Sequence, residues 1–194
     1  FKAKGLILSG GVMGTVKLLL KSKANGDLPN LSPLLGGLIR TNSEALIAVK
    51  TKQKDINYSK EIAITSGIYP DKETHVEVVR YPKGSDAMAM LTTILIGGGG
   101  WIPRPLRFLG TIIRHPLKTL ESLNPFHWAH RTAILLVMQT VENYMQFNFK
   151  RRWWRLGGRS MNSGKVPGVP MVPAYIPIAN EVAERMAEKM GGSA

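Results

Sequence analysis

The chain has 194 residues, no cysteine and a formal net charge of +13 at pH 7. This length allows a domain with a real hydrophobic core. The lack of cysteine excludes a disulfide framework, a thiolate metal site and a cysteine nucleophile. With four histidines and no HExxH or EF-hand pattern, the sequence predicts no metal site. The charge favours an anionic partner such as a phosphate-bearing cofactor, nucleic acid or a membrane surface, with a solvated basic surface as the default.

A strand, a glycine turn and a helix are predicted at the start of the chain. Residues 5–8 form an apolar run of strand length, Ser9-Gly10-Gly11 interrupts it, and residues 12–23 carry apolar residues at helical spacing. In α/β proteins such a turn brings the backbone close to a cofactor, because glycine has no Cβ to clash. The spacing alone is equally compatible with a structural tight turn. We expect residues 5–8 to be a strand with few partners within this chain.

Short strands and two helices are predicted in the middle and at the end of the chain. Apolar runs and alternating polarity predict strands at 45–50, 62–66, 75–79 and 132–141. Residues 85–96, rich in Ala, Met and Leu, predict a helix that four glycines end, and residues 178–190 predict an amphipathic helix. We therefore expect an α+β fold, with residues 45–152 building one antiparallel sheet that these helices flank.

Residues 105–120 predict an amphipathic helix with a possible kink at Pro116. Its apolar positions are Leu106, Leu109, Ile113, Leu117 and Leu120. Arg107, Arg114 and Lys118 lie off that face. A surface helix packed on a sheet is the favoured interpretation, and a membrane-docking element is the alternative.

Other chemical patterns are weak. Lys150-Arg151-Arg152-Trp153-Trp154-Arg155 interleaves bases with aromatics as single-strand nucleic-acid binders do, but without a surrounding recognition motif it favours a basic edge strand and turn. His127 and His130 lie in a turn, where capping and packing are commoner roles than catalysis. No Ser-His-Asp, P-loop or paired-carboxylate pattern is present. A nucleic-acid-binding module and a non-enzymatic membrane-associated protein stay open as alternatives.

Several segments, taken in order, resemble the glucose-methanol-choline family of flavin-dependent oxidoreductases, and in particular its cholesterol-oxidase-like bacterial branch. Leu-Ser-Gly-Gly-Val-Met-Gly-Thr-Val-Lys-Leu-Leu at 8–19 is similar to the family's strand-Ala-Gly-x-x-Gly-Ser/Thr-x-x-Leu-Leu element. The other similar segments are 26–31, 40–45, 75–85, 137–139 and 172–180. The order of these segments carries more weight than any single motif.

The resemblance implies oxidation of a hydroxyl by hydride transfer to FAD. The substrate would be a sterol or another bulky apolar alcohol, peripheral contact with a membrane surface is possible, and no nucleic acid is expected. Residues 1–41 would be a strand-turn-helix piece of an FAD-binding α/β domain, and 42–194 a substrate-binding domain with an antiparallel sheet and flanking helices. The family's dinucleotide fingerprint and carboxyl-terminal active-site histidine have no match, so we expect an internal fragment that is inactive alone. No signal peptide is visible, which favours a cytoplasmic or peripherally membrane-associated protein.

The resemblance also assigns cofactor-binding residues. Gly10, Gly11 and Gly14 match the family glycines where strand meets helix near the cofactor, with Gly11 in place of the usual alanine. Asn42 matches an asparagine in the chain crossing toward the substrate domain, which we place near the flavin. The preceding Arg40-Thr41 differs from the better-known steroid oxidases, so the sterol specificity is open.

Substrate-lining residues are expected on the central strands. Alternation along 75–79 places His75, Glu77 and Val79 on one face. We assign Val79, Met138 and Gln139 to the lining of the substrate cavity.

Glu77 is the candidate catalytic carboxylate. The family's steroid oxidases use a glutamate in a similar strand with a proline five residues further on, as Pro82 is here. A carboxylate among apolar residues would have its pKa raised, which suits a group that accepts a proton as hydride leaves the substrate carbon. The alternative is a surface glutamate paired with Arg80 or Lys83.

Overall fold

The computed structural model describes residues 2–60, 62–151 and 157–194. Their helices and open antiparallel sheets confirm the predicted α+β class. The chain divides into two compact units, the first formed by Phe1–Thr41 and Glu142–Val172, the second by Asn42–Val141 and Pro173–Ala194. Residues 142–172 thus pack with the first unit, and the assignment of 1–41 and 42–194 to flavin and substrate domains stays a prediction.

The elements follow in chain order. The helices are α1 Gly11–Asn25, α2 Arg104–Arg114, α3 Pro116–Leu123, α4 Trp128–Arg131 and α5 Pro177–Lys189. The strands are β1 Ile39–Arg40, β2 Ala45–Thr51, β3 Ile64–Ile68, β4 Thr74–Val79, β5 Thr132–Gln139, β6 Tyr144–Arg151, β7 Arg159–Lys165 and β8 Gly192–Ser193. Short 3₁₀ helices lie at Tyr58–Lys60 and Asp86–Leu91. No helix in the described ranges is long and apolar enough to cross a membrane.

The first unit contains α1 and a three-stranded antiparallel sheet in the order β1-β6-β7. Helix α1 ends at Gly26, which adopts the left-handed conformation with φ 85° and donates its N–H to the Lys23 carbonyl at 3.2 Å. Residues 5–8 are in no strand, so the strand prediction there is wrong. No described strand runs beside them to form ladder hydrogen bonds, and Leu6 and Ile7 are exposed.

The second unit contains a five-stranded antiparallel sheet in the order β3-β4-β5-β2-β8. The prediction of one sheet over 45–152 is wrong, because β6 pairs with β1 and β7 in the other sheet. Within the basic run at 150–155, Lys150 and Arg151 end β6, and residues 152–155 lie outside the described residues.

Two small cores cover the two faces of this sheet. Helix α5 packs on one face, where its alanines at every fourth position allow a close approach to the strands. This core contains Val49, Val76, Leu135, Val137, Ile176, Ala179, Ala183 and Ala187. On the opposite face Trp128, Ala129 and Ala89 pack against Ile134 of β5, with Val79 partly buried beside them. The rest of that second face, which includes Leu46, is more exposed to solvent than the face that α5 covers.

Two helix predictions change in the structure. The helix expected at 85–96 is only the 3₁₀ turn Asp86–Leu91, which ends at Thr92 in an extended conformation. The β-branched residues that follow disfavour continuation of a helix, and the Ile96 carbonyl accepts a hydrogen bond from Asn180 Nδ2 at 3.0 Å instead. The kink is confirmed, because His115 leaves helical geometry (φ −132°, ψ 58°) directly before Pro116 and separates α2 from α3.

Candidate functional site

The glycine turn of the first unit forms the start of α1. Gly10 is the N-cap residue, and its N–H donates to Thr15 Oγ1 at 3.2 Å. Gly11 has φ 65°, a left-handed conformation that favours glycine, and a Cβ built at Gly11 or Gly14 would meet nothing within 4 Å. The first turn contains no acidic residue. Open backbone N–H groups at a helix start without nearby acids fit a phosphate-bearing cofactor.

Glu77 lies in the second unit, on the face of the sheet opposite α5. Its register partners are Gly67 in β3 and Leu136 in β5, and Leu136 is in turn paired with Leu46 of β2. Directly opposed residues of antiparallel strands point to the same face, so Leu46, Leu136 and Glu77 form one row across three strands. The Glu77 side chain is 26% exposed, while Leu46 is exposed. A half-buried carboxylate therefore lies in a partly open apolar row.

His75 is an ionisable neighbour of Glu77 among the residues that the structure describes. The His75 Nδ1 atom lies 3.8 Å from Glu77 Oε1, so the two form an ion pair when the imidazole is protonated. The imidazole stacks on the ring of Tyr69, with centroids 4.4 Å apart and planes 8° from parallel. A Cβ at Gly67 would lie 2.4 Å from His75 Nε2. The bare backbone of Gly67 thus makes room for the imidazole beside the carboxylate.

The sequence analysis assigned no role to Gly67 or Tyr69, which lie between the strands predicted at 62–66 and 75–79. The signal for Gly67 is a glycine near the end of a strand pattern, which can mark a bulge or the close approach of another group. The pairing of β3 with β4 does shift its register between Ile64 and Gly67. No signal in the sequence pairs Tyr69 with His75, because that stack depends on the shifted register.

Val79 and Met138 share the face of Glu77. Val79 follows Glu77 by two positions on β4, and Met138 of β5 lies directly opposite His75. Val79 packs at the edge of the Trp128 cluster, whereas Met138 lies toward the open end of the face. The structure therefore brings together three of the residues expected at the site: Glu77, Val79 and Met138.

Asn42 and Gln139 meet at one end of the sheet. The Gln139 N–H donates to the Asn42 carbonyl at 2.7 Å, and its side-chain Nε2 donates to Thr74 Oγ1 at 3.1 Å. The Asn42 side chain donates to Glu44 Oε2 at 3.1 Å. The side-chain amide of Gln139 in β5 is therefore hydrogen-bonded to β4. Asn42 and Gln139 lie in the second unit, and Gly10, Gly11 and Gly14 in the first.

Thr74 is in turn held by Asp71, which closes the turn between β3 and β4. Asp71 Oδ1 accepts the N–H groups of Glu73 at 2.9 Å and Thr74 at 2.6 Å, and Thr74 Oγ1 donates to Asp71 Oδ2 at 3.1 Å. The hydrogen bond from the Glu73 N–H lowers the pKa of the Asp71 carboxyl below its usual 3.8, with a further contribution from Thr74.

Two apolar spaces lie in the second unit. A cavity of about 380 Å³ lies at the edge of β2, along residues 91–96, with Phe108, Trp128 and Tyr175 in its wall. A groove of about 670 Å³ lies between α5 and the β3–β4 edge. Glu77, Val79, Met138 and Gln139 line neither space. Within the described ranges, no group of three or more His, Asp or Glu residues could hold a metal ion.

Sequence comparisons identify relatives along the entire chain. A cholesterol oxidase found in two strains of Mycobacterium tuberculosis is 42% identical over 200 residues, covering 100% of this chain and 34% of the relative. A cholesterol oxidase of Acinetobacter baumannii is 38% identical over 194 residues, covering 99% of this chain and 34% of the relative. No family model and no solved structure matches.

The chain thus spans about a third of the length of the curated relatives it matches. These matches confirm the resemblance to the cholesterol-oxidase-like branch of the glucose-methanol-choline oxidoreductases that the order of sequence motifs indicated.

Proposed function

We propose that this chain is part of a flavin-dependent oxidoreductase that oxidises the hydroxyl of a sterol or of another bulky apolar alcohol. The observation that carries the proposal is the identity of 38–42% to proteins named cholesterol oxidase over 99–100% of this chain. The chain spans 34% of each relative, so the activity is proposed for the whole protein. We expect these 194 residues alone to be inactive, because the family's dinucleotide fingerprint and active-site histidine have no match here.

The first unit would contribute part of the FAD site. The N–H groups at the start of α1 would bind an anionic part of the cofactor, with Gly10, Gly11 and Gly14 keeping the backbone accessible. Asn42 is proposed near the flavin ring. When bound, FAD supplies the acceptor for the hydride that leaves the alcohol carbon.

Glu77 would serve as the proton acceptor. Its carboxylate lies in the row of Leu46 and Leu136, so an apolar substrate could place its hydroxyl at the one charged group of that row. We propose that Oε1 accepts the hydroxyl proton as the C–H bond breaks. Val79 and Met138 would exclude water beside it. Gln139 would support this arrangement from the end of the sheet through its hydrogen bond to Thr74.

The test uses the full-length protein with cholesterol as the probe substrate. Glu77→Gln keeps the size of the side chain and removes its capacity to accept a proton, so turnover should fall by roughly a hundredfold or more. Visible flavin absorbance should stay at the level of the unmodified protein. Glu73→Gln is the matched control, because Glu73 is an exposed glutamate on the same hairpin, and its turnover should not change.

The possible failures are distinguishable. Unchanged turnover in Glu77→Gln would contradict the role of Glu77 as proton acceptor but not the proposed enzyme class. A full-length protein that binds no flavin would contradict the cofactor. A flavin-loaded protein that is not reduced by cholesterol or by related sterols would contradict the substrate class.

A further inference from the structure

His75 lies beside Glu77, the proposed proton acceptor. The His75 Nδ1 atom is 3.8 Å from Glu77 Oε1, and the two side chains are 27% and 26% exposed. Histidine is the side chain whose charge ordinarily changes between about pH 5 and 8. The environment of the carboxylate oxygen therefore changes with the protonation of its neighbour.

Contacts from β3 hold the imidazole in place. The Tyr69 ring stacks on it, with centroids 4.4 Å apart and planes 8° from parallel. Gly67 leaves room for the ring, since a Cβ at this position would overlap His75 Nε2. A stacked ring beside a close backbone has little freedom to turn, so Nδ1 remains on the side of Glu77.

The strand on the other side of β4 adds apolar groups to the pair. Met138 of β5 lies directly opposite His75 in the register, and Leu136 lies opposite Glu77. Apolar neighbours displace water from one side of the two charged groups. The attraction between an imidazolium and the carboxylate is therefore screened less than it would be in open solvent.

The other titratable and charged groups around the pair compete weakly with it. Tyr69 is the titratable group that β3 presents to the imidazole, and a phenol stays uncharged over the pH range in which an imidazole titrates. After β4, the Arg80 guanidinium lies over the Tyr58 ring, 6.0 Å from its centroid, and Lys83 is exposed. Residues 71–73 of the β3–β4 turn, two acids and a lysine, are also exposed, so solvent screens their charges.

The protonation of His75 decides how available Glu77 Oε1 is. An imidazolium attracts the carboxylate and stabilises its charged form, which makes the carboxylate a weaker base. The oxygen that faces Nδ1 is also the one assigned to the hydroxyl proton, so the imidazolium and the substrate hydroxyl compete for it. A neutral imidazole leaves Oε1 to the hydroxyl.

We propose that His75 is a positioning residue that acts through Glu77. Protonated His75 holds the carboxylate and suppresses proton abstraction, and neutral His75 releases the carboxylate to the substrate hydroxyl. This inference rests on the proposed role of Glu77 and leaves the reaction itself unchanged: the O–H bond breaks, Oε1 gains the proton, and the hydride leaves the alcohol carbon for the flavin. The kcat/KM of the full-length protein should therefore rise with pH as His75 loses its proton.

The test measures kcat/KM of the flavin-loaded full-length protein with cholesterol between pH 5.5 and 8.5. This parameter reports ionisations of the free enzyme, in which the pair is already present. His75→Gln places an uncharged side chain beside Glu77 at every pH. At pH 5.5 its kcat/KM should be about fivefold above that of the unmodified protein, the size expected for an ion pair between partly exposed side chains. At pH 8.5 the two proteins should converge.

His75→Lys makes the opposite change. An ammonium group ordinarily keeps its charge over this pH range, so kcat/KM should stay low up to pH 8.5, about fivefold below that of the unmodified protein. Opposite effects of the two variants at the two ends of the range are not expected from a purely structural role. Visible flavin absorbance and urea denaturation of each variant verify that it is folded and loaded.

His115→Gln is the matched control. It makes the same substitution at an exposed histidine between α2 and α3, outside the sheet. Its pH profile should coincide with that of the unmodified protein.

Three results would overturn the inference. A pH profile of His75→Gln parallel to that of the unmodified protein would show that the charge of His75 does not act on Glu77, and a loss of turnover in Glu77→Gln would then leave the proposed function standing. Equal losses in His75→Gln and His75→Lys at every pH would assign His75 a structural role only. Unchanged turnover in Glu77→Gln would remove the proton acceptor and this inference with it, which identifies a failure of the proposed function.

Discussion

Gly67→Ala tests the arrangement of the His75–Glu77 pair. An alanine Cβ at this position would lie 2.4 Å from His75 Nε2 and 3.3–3.4 Å from two ring carbons. Non-bonded contacts below 3.0 Å do not persist, so either the imidazole or the β3 backbone must move. The ring is the more mobile of the two, because β3 is held by its ladder with β4. The substitution should therefore displace His75 and leave the sheet intact.

The magnitude follows from the contacts that the displaced ring loses. The stack on Tyr69 contributes about 0.5–1.5 kcal/mol beyond the buried area. The His75–Glu77 pair, with both side chains about a quarter exposed, contributes at most about 1 kcal/mol when the imidazole is charged. Against this, replacing glycine in a strand gains about 0.5–1 kcal/mol. We expect Gly67→Ala to lower the free energy of unfolding by about 1 kcal/mol.

A double-mutant cycle gives the decisive measurement. In a His75→Ala background the clash is absent, so Gly67→Ala should raise the free energy of unfolding by about 0.5 kcal/mol instead of lowering it. Urea denaturation of the four proteins gives the coupling energy, expected near 1.5 kcal/mol. Gly97→Ala is the control, because the nearest atom to its Cβ is Arg107 Nη1 at 4.0 Å. A coupling energy near zero would refute the contact.

Three further predictions concern single residues of the second unit. Gly110→Ala should raise the free energy of unfolding by about 0.5–1 kcal/mol in thermal or urea denaturation, because its site in α2 is open and helical. Lys50→Met should lower the free energy of unfolding by about 1 kcal/mol near pH 7, because it removes the hydrogen bonds from Lys50 to the carbonyls of Glu121 and Asn124 that attach α3. Burial lowers the pKa of Lys50, so between that pKa and the usual 10.5 the unfolded chain binds more protons than the folded one and stability increases with pH. Lys50→Met should abolish this rise in stability at alkaline pH. Asp71 has a lowered pKa, so its contribution to folding stability is present above pH 3.8 and is lost as the pH falls through the lower folded value. Asp71→Asn should remove this loss of stability in acid, as measured in a pH series of denaturation curves. An unchanged dependence on pH in acid would contradict the hydrogen bonds at the turn.

The fold was predictable where local pattern and tertiary context agree. Helix α5 was expected at 178–190 and lies at Pro177–Lys189, and alternation placed Glu77 and Val79 on one face of a strand. Residues 85–96 show the opposite case. Their composition predicts a helix, but the β-branched residues 92–94 leave the helical path after Leu91, and the Ile96 carbonyl accepts a hydrogen bond from the Asn180 side chain of α5. A contact with a helix 84 residues further along the chain cannot be read from a local window.

The candidate site was predictable only in part, for a related reason. Periodicity gives the face of Glu77, but the histidine beside it is held in place by Gly67 and Tyr69 across a register shift. Register depends on which residues oppose each other, and a shift of one position changes every neighbour. The resemblance to a family supplied roles for Gly10, Gly11, Gly14 and Asn42, and those roles stay predictions.

The α2–α3 pair shows what amphipathic spacing leaves open. The pattern predicted one amphipathic helix over 105–120 with a single apolar face and a possible kink at Pro116, and the structure has two helices there, separated at His115. An apolar face ordinarily turns toward the sheet, because burial of each leucine contributes about 1.5–3 kcal/mol. Here the side toward the sheet carries Thr119 and the Lys50 contact, while Leu117 remains in solvent. The energy of burying these leucines is thus still available for a contact outside this chain.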